Sequence, residues 1–423
     1  MLRTKSRADY KWVILVVCFF MEFLCLGFCS SNAGLYTVAV TSALNIDRAL
    51  YAVAGSIRYI AQIFVALSFG TMVNRFGIKK MVFVGLCCLI GAALLRATAT
   101  AFYFFCIAGV LHAIGMVFVG GTMAGTIVRR WFHQDIGKYT GIVMSANGIG
   151  GAVAAQIVSP IINSGDPFGY RKAYLLAALI AFAIGIVVMV FLRDAPADGP
   201  VIAKNGKKKV RGPLWVGIDY AVVKKKFYFY AIAVLIFLTG ISLQSIGSIT
   251  IVNMTDMGLP AAFIAATATI SSLTLACSKF LTGVIYDKRG LRFALLLCQL
   301  AALMMFMFNG MLTNSPLGMV LAVTATFLSA MAMPLETVMI PLLTNDLFGA
   351  ASYTRVLGIF TAMNALGLCL GTPMGELIRN LFGNYRLCFW MFTLVMVIVI
   401  IGFQVVLNIA VKEKNAILAK GDT

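Results

Sequence analysis

The segment GTMVNRFGIKK, Gly70 to Lys80, returns 213 positions later as GVIYDKRGLRF, Gly283 to Phe293. Each copy joins the end of one long apolar run to the start of the next. A second connection, RRWFHQDIGKYTGI from Arg129 to Ile142, has a looser echo in DLFGAASYTRVLGI, Asp346 to Ile359, 217 positions on. Equivalent basic turns at a near-constant offset imply two duplicated halves related by an axis along the membrane normal.

The runs between these turns identify the solvent. Of the 423 residues, 61% are hydrophobic and only 12% charged, where a soluble domain carries about 25% charged residues. Mean hydropathy is +0.95. Runs such as Trp12 to Cys29 and Tyr174 to Leu192 approach the ~20 residues that cross a hydrocarbon core of ~30 Å. Hydropathy predicts twelve spans, roughly 12–39, 51–73, 81–100, 103–128, 139–162, 173–192, 227–253, 260–285, 293–312, 317–342, 355–381 and 385–411. The expected fold is an all-α membrane protein of twelve helices. It divides into a six-helix half (1–192), a basic linker (193–226), a second half (227–411) and a tail (412–423).

A net charge of +19 could signal nucleic acid, but its distribution argues topology instead. Lysines and arginines gather in alternate connections: Arg75, Lys79 and Lys80; Arg129, Arg130 and Lys138; the linker; then Lys288, Arg289 and Arg292. The positive-inside rule keeps these connections cytoplasmic, and both termini with them. Short loops suggest a bacterial inner membrane. The run after Arg3, Lys5, Arg7 and Lys11 is too long for a signal peptide and reads as a retained first span. All ten cysteines fall in apolar segments, away from disulfide or metal-ligand spacing. No phosphate-binding or nucleotide motif is present, so neither an ATP-driven pump nor an enzyme is expected, and no cofactor or metal.

The paired turns resemble the G-x-x-x-D-R-x-G-R-R signature of the major facilitator superfamily. Gly70, Arg75, Gly77, Lys79 and Lys80 match, with Asn74 in place of the acid; the second copy has Gly283, Asp287, Lys288 and Gly290. Arg130-Trp131-Phe132 with Gly137, Asp346-Leu347-Phe348-Gly349 and a cation in the eighth span at Lys279 are similar to the oxalate–formate antiporter and monocarboxylate transporter branch. That branch's eleventh-span lysine falls at Asn364, which puts dianion specificity in doubt. The resemblance implies alternating access, with the turn residues and Arg130 latching the halves on the cytoplasmic side. Glycines would permit close helix approach, and the acid would face a neighbouring helix start. The alternative is that Arg75, Lys79 and Lys80 only set topology.

Charges inside the spans mark the candidate site, because a cation at mid-membrane costs about 2.5–3.5 kcal/mol. Lys279 shares a polar arc of about 160° with Ser271, Thr274, Ser278 and Thr282, and so faces protein or a cavity unless it snorkels to the inner interface. Arg58 in the second span is either a second substrate cation or a partner for Glu376 in the eleventh when the outer side closes. Glu376 and Arg58 alternatively reach only the interface. Glu22 in the first span is a candidate proton carrier and partner of Lys279; Glu336 in the tenth, beside Pro334 and Pro341, reads as structural. His112, Gln244 and Asn364 are further candidate polar contacts, a lone histidine being more often hydrogen-bonded in place. Together these predict a monomeric secondary transporter of a small organic anion, as exchanger or proton symporter, contacting membrane lipid and no nucleic acid. The alternative is a proton-coupled efflux carrier for neutral or cationic compounds that uses Glu22.

Overall fold

The computed structural model describes residues 2–30, 33–46, 48–132, 134–162, 164, 166–194, 217–256, 258–259, 261–313 and 315–421. Helices occupy all twelve predicted ranges. α1 (Leu2–Glu22) continues through a π-helical turn (Phe23–Phe28) to α2 (Ala33–Leu44), completing the first span. α3 (Arg48–Phe76), α4 (Ile78–Thr98), α7 (Ile136–Ile162) and α8 (Gly169–Phe191) are single passes. The fourth span is α5 (Phe102–Val119) plus α6 (Gly121–Trp131), broken at Gly120, whose φ of −78° and ψ of −163° leave the helical region.

Beyond the linker, of which 195–216 lie outside the described residues, Asp219 caps the short α9 (Tyr220–Val223). α10 (Phe227–Asp256), α11 (Ala261–Arg289) and α12 (Leu291–Gly310) follow. α13 (Pro316–Ala332) passes through a second π-helical turn (Leu335–Met339) into α14 (Ile340–Phe382). α14 supplies the end of one pass and the whole of the next, separated at Gly349, where φ is +66°. α15 (Arg386–Gly421) runs past the tail boundary expected at 412, and Lys414 Nζ there binds the Asp346 carboxylate at 2.7 Å. Among the described residues, nine helical stretches are long and apolar enough to cross a membrane, one of them the 67-residue Pro316–Phe382.

The outward surface is apolar: Phe64, Leu179, Leu317 and Leu394 are each more than 60% exposed. In water such a belt would aggregate; in a bilayer it is the lipid face.

The N-terminal helices (α1–α8) meet the C-terminal set (α10–α15) chiefly where α7 crosses α11 and α3 crosses α14, with α6 also touching α14. Both crossings depend on missing side chains. A Cβ at Gly141 would stand 2.7 Å from the Lys279 carbonyl oxygen, and Gly137 meets Gly283 backbone to backbone. In the other crossing, a Cβ at Gly358 would stand 2.5 Å from the Ala66 carbonyl oxygen, and one at Gly70 would stand 2.8 Å from the Arg355 backbone. Gly77 at φ +84° and Gly290 at φ +82° make the turns into α4 and α12, a conformation that side chains disfavour. The end carrying these two turns is called the basic end below.

Candidate functional site

Two buried charges, Lys279 and Glu22, and the half-buried Glu336 come together between the two helix sets. Lys279, on α11, is 1% exposed; Glu22, the last residue of α1, is 0% exposed. Neither the Lys279 ammonium nor either Glu22 oxygen makes a hydrogen bond among the described residues. Glu22 and Glu336 are the two acids whose charges act on Lys279. The lysine thus lies between a carboxyl from the N-terminal helices and one from the C-terminal helices.

Irregular helix geometry sets this up. Glu22 precedes the first π turn, and Glu336 lies in the second, which Pro334 and Pro341 flank. Proline removes an N–H from the ladder, and π turns concentrate at functional sites. Gly27 lets the first π turn approach α7, since a Cβ there would lie 2.7 Å from the Gly150 Cα. At the break in the fourth span, a Cβ on Gly121 would stand 3.7 Å from Glu22 Oε1.

Several expected site residues have other occupations. The Ser278 hydroxyl donates to the Ala330 carbonyl and to Leu275 O, so it ties α11 to α13, where it also lines a largely apolar cavity with Thr274, Thr282 and Phe327. Thr282 likewise points at Cys298. The polar arc was wide enough to span two faces of α11, and only Lys279 of these three reaches the central acids. Asn364 Nδ2 donates to Glu336 Oε1 at 3.4 Å, and both residues line a small cavity of about 20 Å³ among the C-terminal helices, with Thr239 and Ile236. Glu336 is therefore part of the charge cluster, which its proline-rich sequence setting concealed.

His112, 2% exposed, uses both ring nitrogens internally: Nε2 lies 3.0 Å from Ser30 Oγ and Nδ1 lies 3.5 Å from Arg96 Nη1. Both nitrogens therefore have partners within the protein. Arg58 lies over the Tyr59 ring at 4.5 Å, with a buried Nε that bonds nothing among the described residues. The side chains of Gln244 and Glu376 lie outside the described residues. The expected Arg58–Glu376 pairing therefore falls outside the described side chains.

At the basic end the acid and the glycines of the repeated turn join the helix sets, while its bases do not. Asp287 accepts from the backbone N–H groups of Gly137 at 2.9 Å and Lys138 at 2.6 Å, capping the start of α7. Burial pushes the Asp287 carboxyl up from its ordinary range, opposed by those two donors. Asn74 accepts from Thr354 Oγ1 at 3.5 Å. Arg75, Lys79, Lys80 and Lys288 form no ion pair among the described residues: Arg75, Lys80 and Lys288 are exposed, and Arg75 rests on Phe76. Nor does Arg130 cross, since its charge partner is Asp194. Its neighbour Arg129 does, donating to Asn345 Oδ1 and lying 4.6 Å over Tyr353. Among the described residues no His, Cys, Asp and Glu side chains gather into a metal-binding group.

The model of the Major Facilitator Superfamily matches residues 15–372, and again 232–422. Monocarboxylate transporter 13 of Rattus norvegicus is 23% identical over 386 residues, 90% of this chain and 85% of that protein. The 4-hydroxybenzoate transporter PcaK of Pseudomonas putida is 24% identical over 212 residues, 48% of this chain and 45% of that one. Among solved structures, the proton:xylose symporter XylE superposes with a TM-score of 0.77 at 14% identity, covering 94% of this chain and 96% of that one. The human organic anion transporter MFSD10 gives 0.65 at 13% identity, covering 94% and 99%. At these identities the structural likeness concerns the fold alone.

Proposed function

The chain belongs to the Major Facilitator Superfamily and is a secondary transporter, and we propose that it carries a small monocarboxylate together with a proton by alternating access. The observation that carries this reading is Lys279: a buried ammonium with three uncommitted donors, facing Glu22 and Glu336 across the two helix sets. One cation and two acids are neutral only with one proton bound, and an unneutralised charge opposes crossing the membrane. A carboxylate binding at Lys279, with a proton taken by the second acid, keeps the cluster neutral. At 4 Å the ammonium would contribute about 4 kcal/mol to that carboxylate at an effective dielectric of 20. Relatives named for monocarboxylate and 4-hydroxybenzoate transport support the anion class. In this reading the basic end is cytoplasmic, with both termini, the membrane is the cell's inner membrane, and the closed Asp287–Gly137 contact is its inner latch.

The test is uptake of labelled lactate, benzoate and 4-hydroxybenzoate into proteoliposomes, with and without a pH gradient, for the wild type and Lys279→Ala. Gradient-driven uptake abolished in a folded Lys279→Ala protein is the expected result. Dependence on internal substrate instead of the gradient would make the protein an exchanger. Equal transport by both proteins would overturn the anion site. The uncommitted Glu22 carboxyl would then favour efflux of a neutral or cationic compound.

A further inference from the structure

A second positive cluster lies among the N-terminal helices, on residues other than Lys279. Arg96, in the last turn of α4, reaches His112 Nδ1 at 3.5 Å, and His112 Nε2 reaches Ser30 Oγ at 3.0 Å. A guanidinium only donates, so Nδ1 accepts and Nε2 carries the hydrogen that Ser30 receives. Ser30 passes its own hydrogen to the Cys25 carbonyl at 2.9 Å. The imidazole is thereby spent as a strut that aims Arg96. Arg58 comes to the same histidine from α3: its charge, like that of Arg96, acts on His112. Gly109 makes room for it, since a Cβ there would sit 3.7 Å from the Arg58 Cβ.

Aromatic side chains wall the cluster. Tyr36 stacks on Tyr174 at 4.1 Å, Tyr51 bonds Tyr174, and Arg96 lies 5.9 Å from the Tyr174 ring centre. Neither guanidinium forms an ion pair among the described side chains. Glu22 faces Lys279.

We propose that Arg58 and Arg96, aimed by His112, form a second binding site for a small oxyanion, distinct from Lys279. Two guanidiniums held around one neutral imidazole in a low dielectric repel each other, and a carboxylate or phosphate offers both the paired acceptors that guanidinium geometry favours. The site exists on its own residues. Its role rests on the transport reading: it holds an incoming carboxylate near the central acids, since the charges of Arg58 and Glu22 both act on Cys25.

The experiment is equilibrium dialysis of purified Lys279→Ala protein against labelled benzoate and, separately, against inorganic phosphate. With the central cation gone, saturable benzoate binding should persist. Arg58→Gln or Arg96→Gln added to it should weaken binding at least tenfold, and Arg96→Lys should weaken it less. His112→Ala removes no charge and should weaken binding several-fold, so it carries the test if the arginine variants do not fold. Competition by phosphate would mark a general oxyanion site, and its absence a carboxylate site; both support the proposal. It is overturned if Lys279→Ala protein binds neither anion saturably, or if binding is indifferent to all these substitutions. Transport lost in Lys279→Ala while this binding persists would sustain both readings, whereas loss of the binding alone leaves the Lys279 reading untouched.

Discussion

The Asp287 carboxylate accepts a hydrogen bond from the Gly137 backbone N–H at 2.9 Å, so one residue of the last turn of α11 caps the first turn of α7. The Asn74–Thr354 contact is its counterpart under the sequence repeat, because Asn74 lies 213 positions before Asp287 and Thr354 lies 217 after Gly137. One crossing is therefore charged and the other neutral, and this asymmetry is open to experiment.

Asp287→Asn should loosen the basic end. An amide keeps one acceptor oxygen and loses the charge, and hydrogen bonds to a charged group are worth about 1.5–3 kcal/mol each. Losing about 2 kcal/mol would change the closed-to-open ratio roughly thirtyfold. Spin labels at Lys138 and Arg289, read by double electron–electron resonance, should show a longer-distance population. An unchanged distribution would mean that the cap does not control closure.

Asn74→Asp tests the converse. A carboxylate beside the helix start that follows Gly349 should gain about 0.3–1 kcal/mol from the helix dipole, favouring closure. Turnover should then slow modestly, with the opening of the basic end made rarer. Faster turnover, with an enlarged open population, would show that Asn74 does not act as the counterpart of Asp287.

Backbone proximity makes a sharper prediction. A side chain at Gly283 collides with the Gly137 backbone, whereas Gly55 has no atom within 4 Å of an added Cβ. Gly283→Val should abolish transport by preventing closure while the protein stays folded, since overpacking costs about 1–3 kcal/mol. Gly55→Ala should be silent in the same uptake assay. Normal transport by Gly283→Val would remove the close crossing from the mechanism.

The repeated turns made these crossings legible in the sequence: glycines in both copies, with an acid in the second and Asn74 in its place in the first, are what two apposed helices need. Which basic residue crosses was not legible. Arg129 and Arg130 are adjacent, about 100° apart on a helix, and the sequence does not fix the rotation that sends Arg129 to Asn345. The contact of Ser278 with α13 was not legible for a similar reason, because a 160° polar arc covers both that contact and the charge cluster. Glu336 was hidden by its prolines, which signal a broken helix but not that the π turn brings its carboxyl within reach of Lys279. Arg96 reads from sequence as an interfacial helix end; only the fold brings His112 beside it.

The central cluster predicts a reversal of the usual mutational order. Lys279→Ala leaves the buried Glu22 and the half-buried Glu336 without their cation, and removing one member of a buried ion pair costs about 3–5 kcal/mol. Replacing the pair with neutral groups avoids most of that cost, so Lys279→Ala/Glu22→Gln should be more stable to heat than Lys279→Ala alone. The same comparison with Glu336→Gln apportions the interaction between the acids, since residues in contact couple by about 0.5–3 kcal/mol. Asn364 already donates to Glu336, whereas Glu22 bonds nothing among the described residues, so the larger rescue should come from Glu22→Gln. Melting curves of the singles and both doubles in one detergent decide it. If each double loses the sum of its singles, the carboxyls and Lys279 titrate independently and the proton-coupling scheme built on their shared charge fails.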